Sequence, residues 1–208
     1  MRRRLVITVT VIVFAVFCLT GCTVSFKYES VVKAARERGI KSVSLQVFEK
    51  FQEDGEYEGE FGDDSDRSEH YYFVAKNSTE ANSLYGKYFR LTDGNNVSID
   101  ELACCVDDED GILYFRAASE EDAKKIYDEW SGSFKEDYEI ASSGNKKGYV
   151  YTVCRNYSST DPSYRSDIGV YRKGKDVFIV GETEASRNAQ KSSFFESLGL
   201  VKPADVIK

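Results

Sequence analysis

Residues 72–88, YFVAKNSTEANSLYGKY, recur in outline at residues 114–130, YFRAASEEDAKKIYDEW. Tyr72-Phe73, Ala75, Ala81, Leu84, Tyr85 and Tyr88 match Tyr114-Phe115, Ala117, Ala123, Ile126, Tyr127 and Trp130, each pair offset by 42 residues without a gap. Each copy opens with a short β-prone run and crosses a polar turn. It then continues with apolar residues at the i, i+3, i+4, i+7 spacing that places them on one side of an α-helix. Ser78 and Ser119 are placed as N-caps, with Glu80 and with Glu121 and Asp122 in the first turns, where a carboxylate meets the positive end of the helix. Two copies of a strand–helix unit are too few for a solenoid, which needs about three. They predict a two-layer α+β fold, a mainly antiparallel sheet with helices packed on one face. A repeated aromatic stripe of this kind is ordinarily core.

Outward from the two copies, Leu102 to Val106 and Ile112 to Phe115 flank the acidic turn Asp107-Asp108-Glu109-Asp110-Gly111 and read as a hairpin. Gly148 to Tyr157 reads as a strand, and residues 158–166, with Pro162, as a loop. Asp167–Arg172 and Asp176–Thr183 give a second hairpin turning at Lys173-Gly174-Lys175. A closing helix is expected over residues 184–198, stopping at Gly199, and a tail over 201–208. Upstream, residues 28–39 fit an amphipathic helix with Tyr28, Val31, Val32 and Ala35 on one face and Gly39 as its stop. Val43, Leu45 and Val47 alternate as in a strand, although the run to Phe51 fits a helix as well. Residues 52–69 are acidic and contain glycine, and read as a loop or ragged hairpin. The folded part is thus residues 28–200, as one domain or as half-domains 28–135 and 136–200.

The first 22 residues, MRRRLVITVTVIVFAVFCLTGC, carry a different kind of signal. Arg2, Arg3 and Arg4 precede an apolar run from Leu5 to Leu19, 15 residues long, which fits a secretory signal and is shorter than the roughly 20 residues of a membrane span. The triplet of arginines holds the N-terminus on the cytoplasmic side, so that the remainder of the chain is translocated. Leu19-Thr20-Gly21-Cys22 resembles the lipobox of bacterial lipoproteins. That resemblance implies that residues 1–21 are removed as a signal peptide and that Cys22 becomes the first residue, carrying a diacylglyceryl group. Residues 22–27 then form a short tether, and two or more acyl chains suffice for stable attachment. The order of elements and the ending Phe195-Glu196-Ser197-Leu198-Gly199-Leu200 also resemble small uncharacterised lipoproteins of Gram-positive gut bacteria, a likeness that brings a location and no activity.

Composition narrows the partners. Of 28 basic residues three leave with the signal, so 25 stand against 35 acidic ones, a formal charge of −10. Such a chain lacks the basic stripe of a nucleic-acid binder, and its overall charge disfavours adhesion to anionic lipid. Cys104, Cys105 and Cys154 remain in the mature chain. A bridge from Cys154 to either neighbour is open to an exported protein, but the apolar neighbours Leu102, Val106 and Val153 favour three buried thiols.

No G-x-S-x-G, H-E-x-x-H, Walker or G-x-G-x-x-G motif occurs. His70 is the single histidine, which excludes a multi-histidine zinc site and reads as a strand-edge residue. Asp63-Asp64-Ser65-Asp66 and Asp107-Asp108-Glu109-Asp110 lack the EF-hand register. They read as solvated acidic turns, with Asp107, Asp108 and Asp110 the one weak calcium candidate. No cofactor is implied. These readings lead to a membrane-anchored module facing outside the cytoplasm, non-enzymatic, with an unidentified protein or envelope partner. The alternatives are a solute-binding lipoprotein of a transport system, with Tyr85, Tyr127 and Trp130 as ligand-facing aromatics, and a hydrolase built on carboxylate pairs.

Overall fold

The computed structural model describes residues 24–54, 70–92, 96–108, 110–138, 140–157, 165–185 and 191–207. The signal, Cys22, the 63–66 acidic cluster and the 158–164 loop fall outside these residues. Eight strands form one sheet: β1 (Lys41–Ser42), β2 (His70–Ala75), β3 (Ile99–Asp107), β4 (Asp110–Ala117), β5 (Ile140–Lys146), β6 (Tyr149–Tyr157), β7 (Arg165–Lys173) and β8 (Asp176–Thr183). Their order is β1-β2-β3-β4-β8-β7-β6-β5, antiparallel throughout except for the parallel pair β1–β2. The helices are α1 (Tyr28–Glu37), α2 (Leu45–Asp54), α3 (Ser78–Leu84) running into a π turn (Tyr85–Phe89), α4 (Glu120–Asp137), α5 (Phe194–Leu198) and α6 (Pro203–Val206). The class is α+β. Residues 28–135 and 136–200 share the sheet, because β4 pairs with β8 from Gly111↔Gly181 to Arg116↔Asp176.

The helices, expected on one face, divide between two. On one side α1, α5 and the segment Val24–Phe26 pack on Tyr72, Cys105, Tyr114, Tyr171, Phe178 and Val180; on the other, α3 and α4 pack on Phe73, Leu102, Cys104, Phe115, Val177 and Ile179. The cause lies in the central strands. Successive side chains of a strand point to opposite faces, and Leu102-Ala103-Cys104-Cys105, Tyr114-Phe115 and Val177-Phe178-Ile179-Val180 are apolar at consecutive positions and all buried. Both faces therefore need cover.

The two stretches offset by 42 residues each run from a strand into a helix. Tyr72 and Tyr114 face the α1 side, while Phe73 and Phe115, Ala81 and Ala123, and Leu84 and Ile126 lie in the second cluster. The likeness ends there, since α3 passes into a π turn after 7 residues whereas α4 runs for 18. The first cap is Asn77, not Ser78: Asn77 is extended and its side chain accepts from Glu80 N–H at 2.9 Å, while Ser78 is already helical. Ser119 caps α4 as expected, accepting from Asp122 N–H at 3.0 Å.

Of the two readings for residues 43–51 the helix is observed, and β1 is only Lys41–Ser42. Gly39, at φ +76°, ends α1, a left-handed position glycine takes without strain. β5 is an unexpected element, because Ser142, Ser143, Gly144 and Asn145 give it no strand-like apolar pattern. It is an edge strand held by pairing with β6 over Ile140–Lys146. Of the closing helix expected over residues 184–198, α5 covers Phe194–Leu198, capped by Ser193 and stopped at Gly199, and residues 186–190 lie outside the described residues. Cys104, Cys105 and Cys154 are free and buried. β3 and β6 lie four strand steps apart, about 19 Å at ~4.8 Å per step, far beyond a disulfide. Among the described residues no helix is long and apolar enough to cross a membrane.

Candidate functional site

At the end of the sheet where β2, β4 and β7 begin, a row of polar residues crosses six strands. The register aligns His70 with Asp107, Asp107 with Asp110, Asp167 with Glu182, and Arg155 with Asp167; Gly111↔Gly181 brings Asp110 beside Glu182. Tyr72, Cys105, Ile112, Val180 and Val153, two residues from His70, Asp107, Asp110, Glu182 and Arg155, belong to the α1-side core. By period-two alternation these polar side chains are the last row of that same face.

Arg38, the C-cap of α1, closes the row. Its Nη1 donates to Asp107 Oδ2 at 2.6 Å and to Asp110 Oδ2 at 2.8 Å, and its Nη2 lies 3.7 Å from Glu182 Oε1. Nε donates to the Ser192 carbonyl at 2.8 Å, and the guanidinium lies 3.5 Å from the centre of the Phe194 ring. Lys191 Nζ adds bonds to Asp107 Oδ1 at 2.9 Å and Asp108 Oδ2 at 3.0 Å. His70 Nδ1 hydrogen-bonds with Asp107 Oδ1, and its Nε2 lies 3.3 Å from Asp108 Oδ1. Asp110 Oδ1 accepts from Thr183 N–H at 2.9 Å, and Glu182 from Ser193 Oγ at 3.1 Å and from Phe194 and Phe195 N–H. Farther along, Arg155 grips Asp167 with two parallel bonds of 2.7 and 3.0 Å.

Buried charges persist only when paired, and the titration of the site follows its partners. Burial pushes the Asp107 carboxyl up, but the hydrogen bonds and charges of Arg38 and Lys191 outweigh it and hold it below the usual carboxylate value. Glu182 is raised by burial, with Asp110 adding to the rise against its own hydrogen bonds. Burial opposes the Lys191 charge, yet Asp107 and Asp108 raise its pKa overall. This is the chemistry of a closed ion-pair network rather than of an open base.

The calcium candidate changes accordingly. Asp107 and Asp110 turn inward onto Arg38, while Asp108, at φ +57°, turns outward with its side chain 53% exposed. Three such carboxylates do not form the ring of six to eight oxygens that calcium takes. His70, Asp107 and Asp108 do bring one ligand atom each within 4.8 Å of one another, but the Lys191 ammonium already bonds both carboxylates.

Tyr85, Tyr127 and Trp130 each make contacts within the fold. Tyr85 packs edge-on against Phe115, Tyr127 shares a hydrogen bond with Thr152 at 2.9 Å, and Trp130 leans on Phe134. All three lie in or against the core under α3 and α4.

A groove opens elsewhere, between α1 and the sheet edge, with a volume of about 750 Å³. Tyr28, Val32, Val43, Leu45, Tyr72 and Val74 give it apolar walls, and Lys33, Arg36 and Glu37 stand on its rim. β1 pairs with β2 only at Tyr71 and Tyr72, and Val43 N–H closes on the Tyr72 carbonyl at 2.9 Å. Two residues on, the peptide groups of Val74 point the same way, into this groove and past the end of β1.

No family model, curated protein or solved structure matches this chain.

Arg38, Glu182 and Lys191 escape a reading of the sequence alone. A usable signal exists for Glu182, since it follows Phe178 and Val180 in strict alternation and so falls on a buried face. Arg38 and Lys191 carry no such mark.

Proposed function

We propose that this chain is a lipid-anchored extracytoplasmic module, non-enzymatic, that binds a protein or envelope partner along the open edge of its sheet. The observation that carries the binding half is the groove beside β2, where an apolar floor meets peptide groups of Val74 that β1 does not reach. An extended polypeptide supplies both the backbone partners and the alternate apolar side chains such an edge takes. The anchor half rests on the lipobox, and the packing is compatible with it: Val24 and Phe26 are buried, Phe26 against Tyr149 and Phe178. A chain gains at most about 3.6 Å per residue, so Cys22 would lie within roughly 7 Å of Val24 and hold the domain close to the bilayer.

Two measurements test this reading. Cys22→Ser should abolish labelling by a radioactive fatty acid in cells, and persistent labelling would remove the anchor. A photo-crosslinker at Lys33 should give a discrete adduct in intact cells, lost on Val32→Asp and kept on Glu136→Gln at the far end of α4. An adduct insensitive to Val32→Asp would refute the groove.

A further inference from the structure

The end of the sheet opposite the Arg38 cluster gathers several cations. There Val24, Arg116, Lys173, Lys175 and Asp176 line a recess of about 490 Å³. Lys173 Nζ lies 3.5 Å from the Val24 carbonyl, which places the cations beside the point where the chain enters the fold. Lys175, at the tip of the β7–β8 hairpin, and Arg116 are exposed, as is Lys27 on the entering segment. The facing acids are Asp176, where desolvation outweighs the three cations around it, Glu101, within reach of Arg116 and of the acids Glu29 and Asp100, and Glu120, whose carboxylate lies beside Gly174. Lys27, Arg116, Lys173 and Lys175 thus stand at the chain's entry among these acids, in a mature chain with ten more acidic than basic residues. β3 separates this end from Asp107 by eight residue steps, about 26 Å at ~3.3 Å per step.

We infer that this end of the sheet is the face turned to the membrane, where Lys27, Arg116, Lys173 and Lys175 meet anionic phospholipid headgroups. The inference rests on the anchored reading above. Cys22 ties the chain next to the recess, so the cations are delivered to the headgroups at high effective concentration even though the whole domain is acidic. Juxtamembrane lysines and arginines are drawn to such a surface over about a Debye length. The Arg38 cluster is then carried on the outer end, away from the bilayer.

The test uses the full-length acylated protein in vesicles, with fatty-acid incorporation measured in every sample. Lys175→Cys marks the hairpin tip, and Glu136→Cys marks the exposed end of α4 on the opposite side. Cys104, Cys105 and Cys154 are buried and stay silent. In phosphatidylglycerol-containing vesicles, a bulky polyethylene-glycol maleimide should label residue 175 much more slowly than residue 136. That protection should weaken in pure phosphatidylcholine, in high salt, and in the Lys27→Glu/Lys173→Glu variant, whose folding is checked by its thermal transition. Equal labelling of the two positions in fully acylated protein overturns the orientation and leaves the anchor standing. Protection equal in neutral and anionic vesicles overturns the headgroup contact. Absence of the acyl chain removes the anchor, and the orientation falls with it.

Discussion

Arg38 and Asp107, 69 residues apart, meet through Nη1 and Oδ2 at 2.6 Å with both side chains 3% exposed. The pair ties the end of α1 to the turn between β3 and β4. Because Asp110 and Glu182 share the same guanidinium, it also ties in β8. The cluster therefore links elements that the sequence places far apart, and it does so at the point where the core face of the sheet meets solvent.

Removing Arg38 leaves three carboxylates in a space with too few counter-charges. Breaking a buried ion pair by deleting one partner costs about 3–5 kcal/mol, and the ring contact with Phe194 is lost as well. Arg38→Met should therefore lower the unfolding free energy by roughly 3–5 kcal/mol, read as a fall in urea midpoint at unchanged slope. A loss below ~1 kcal/mol would mean that Lys191 and water carry the cluster without it.

The cap of α3 gives a sharp pairwise comparison. Asn77→Ala removes the side-chain acceptor of Glu80 N–H and should cost about 1 kcal/mol, within the ~0.5–2 range for such caps. Ser78→Ala, one residue on and already helical, should cost under ~0.5 kcal/mol. The reverse order in chemical denaturation would restore Ser78 as the cap.

The range of each signal decides how much of the fold is legible in the chain. The strand–helix pattern at 72–88 and 114–130, and the β7–β8 hairpin, are local: alternation, helical spacing and a glycine turn suffice. The second helical layer is legible too, in Leu102-Ala103-Cys104-Cys105 and Val177-Phe178-Ile179-Val180, because uninterrupted apolar strands need cover on both sides. The ion cluster is half legible. Asp107, Asp110, Asp167 and Glu182 each sit in phase with buried strand residues, which flags a buried acid, but their partners Arg38 and Lys191 come from a helix end and a loop. Nothing local says where those reach. β5 is hidden for the opposite reason: an edge strand of serine, glycine and asparagine owes its conformation to its neighbour β6.

The thiols should be inert in the native state. Burial, the nearby Asp107 charge adding to it and Arg38 opposing, pushes the Cys105 thiol up to about 12, and burial raises Cys104 and Cys154 as well. Since the thiolate is the reactive form, the domain lacking residues 1–22 should give no fast reaction with Ellman's reagent at neutral pH. Three thiols should appear on denaturation. A single thiol under denaturing, non-reducing conditions would expose a disulfide and overturn the free-thiol assignment.

Gly169 is tied to Tyr171 on its own strand. A Cβ at residue 169 would stand 2.2 Å from the Tyr171 hydroxyl and 2.6 Å from its ring, and that ring is fully buried with its hydroxyl donating to the Val201 carbonyl at 2.5 Å. Gly169→Ala should destabilise by about 1–3 kcal/mol through overpacking. Gly144→Ala meets Tyr151 at 2.6 Å, but on the edge strand, where the ring end can swing aside, so its thermal midpoint should fall less. Equal falls would show that Tyr171 is free to move.

The acid limb of stability should trace to Asp107. Its folded pKa lies below the ordinary value, so the stability it contributes is whole above that ordinary value and is lost as pH falls through the depressed folded one. Glu182 runs the other way. Its folded pKa is raised, so the folded state binds its proton more readily, and its contribution improves as pH falls through the raised value. Stability should then hold, or rise slightly, from neutral pH down toward the normal carboxylate range and drop steeply below it. Asp107→Asn removes the first effect and keeps the second. The gap between wild type and this variant in urea-unfolding free energy should be wide near neutral pH and should close as pH falls through the depressed folded pKa of Asp107, below which it is protonated in both states. A gap constant across that window would show that Asp107 acts through shape alone and that its charge does not hold α1 to the sheet.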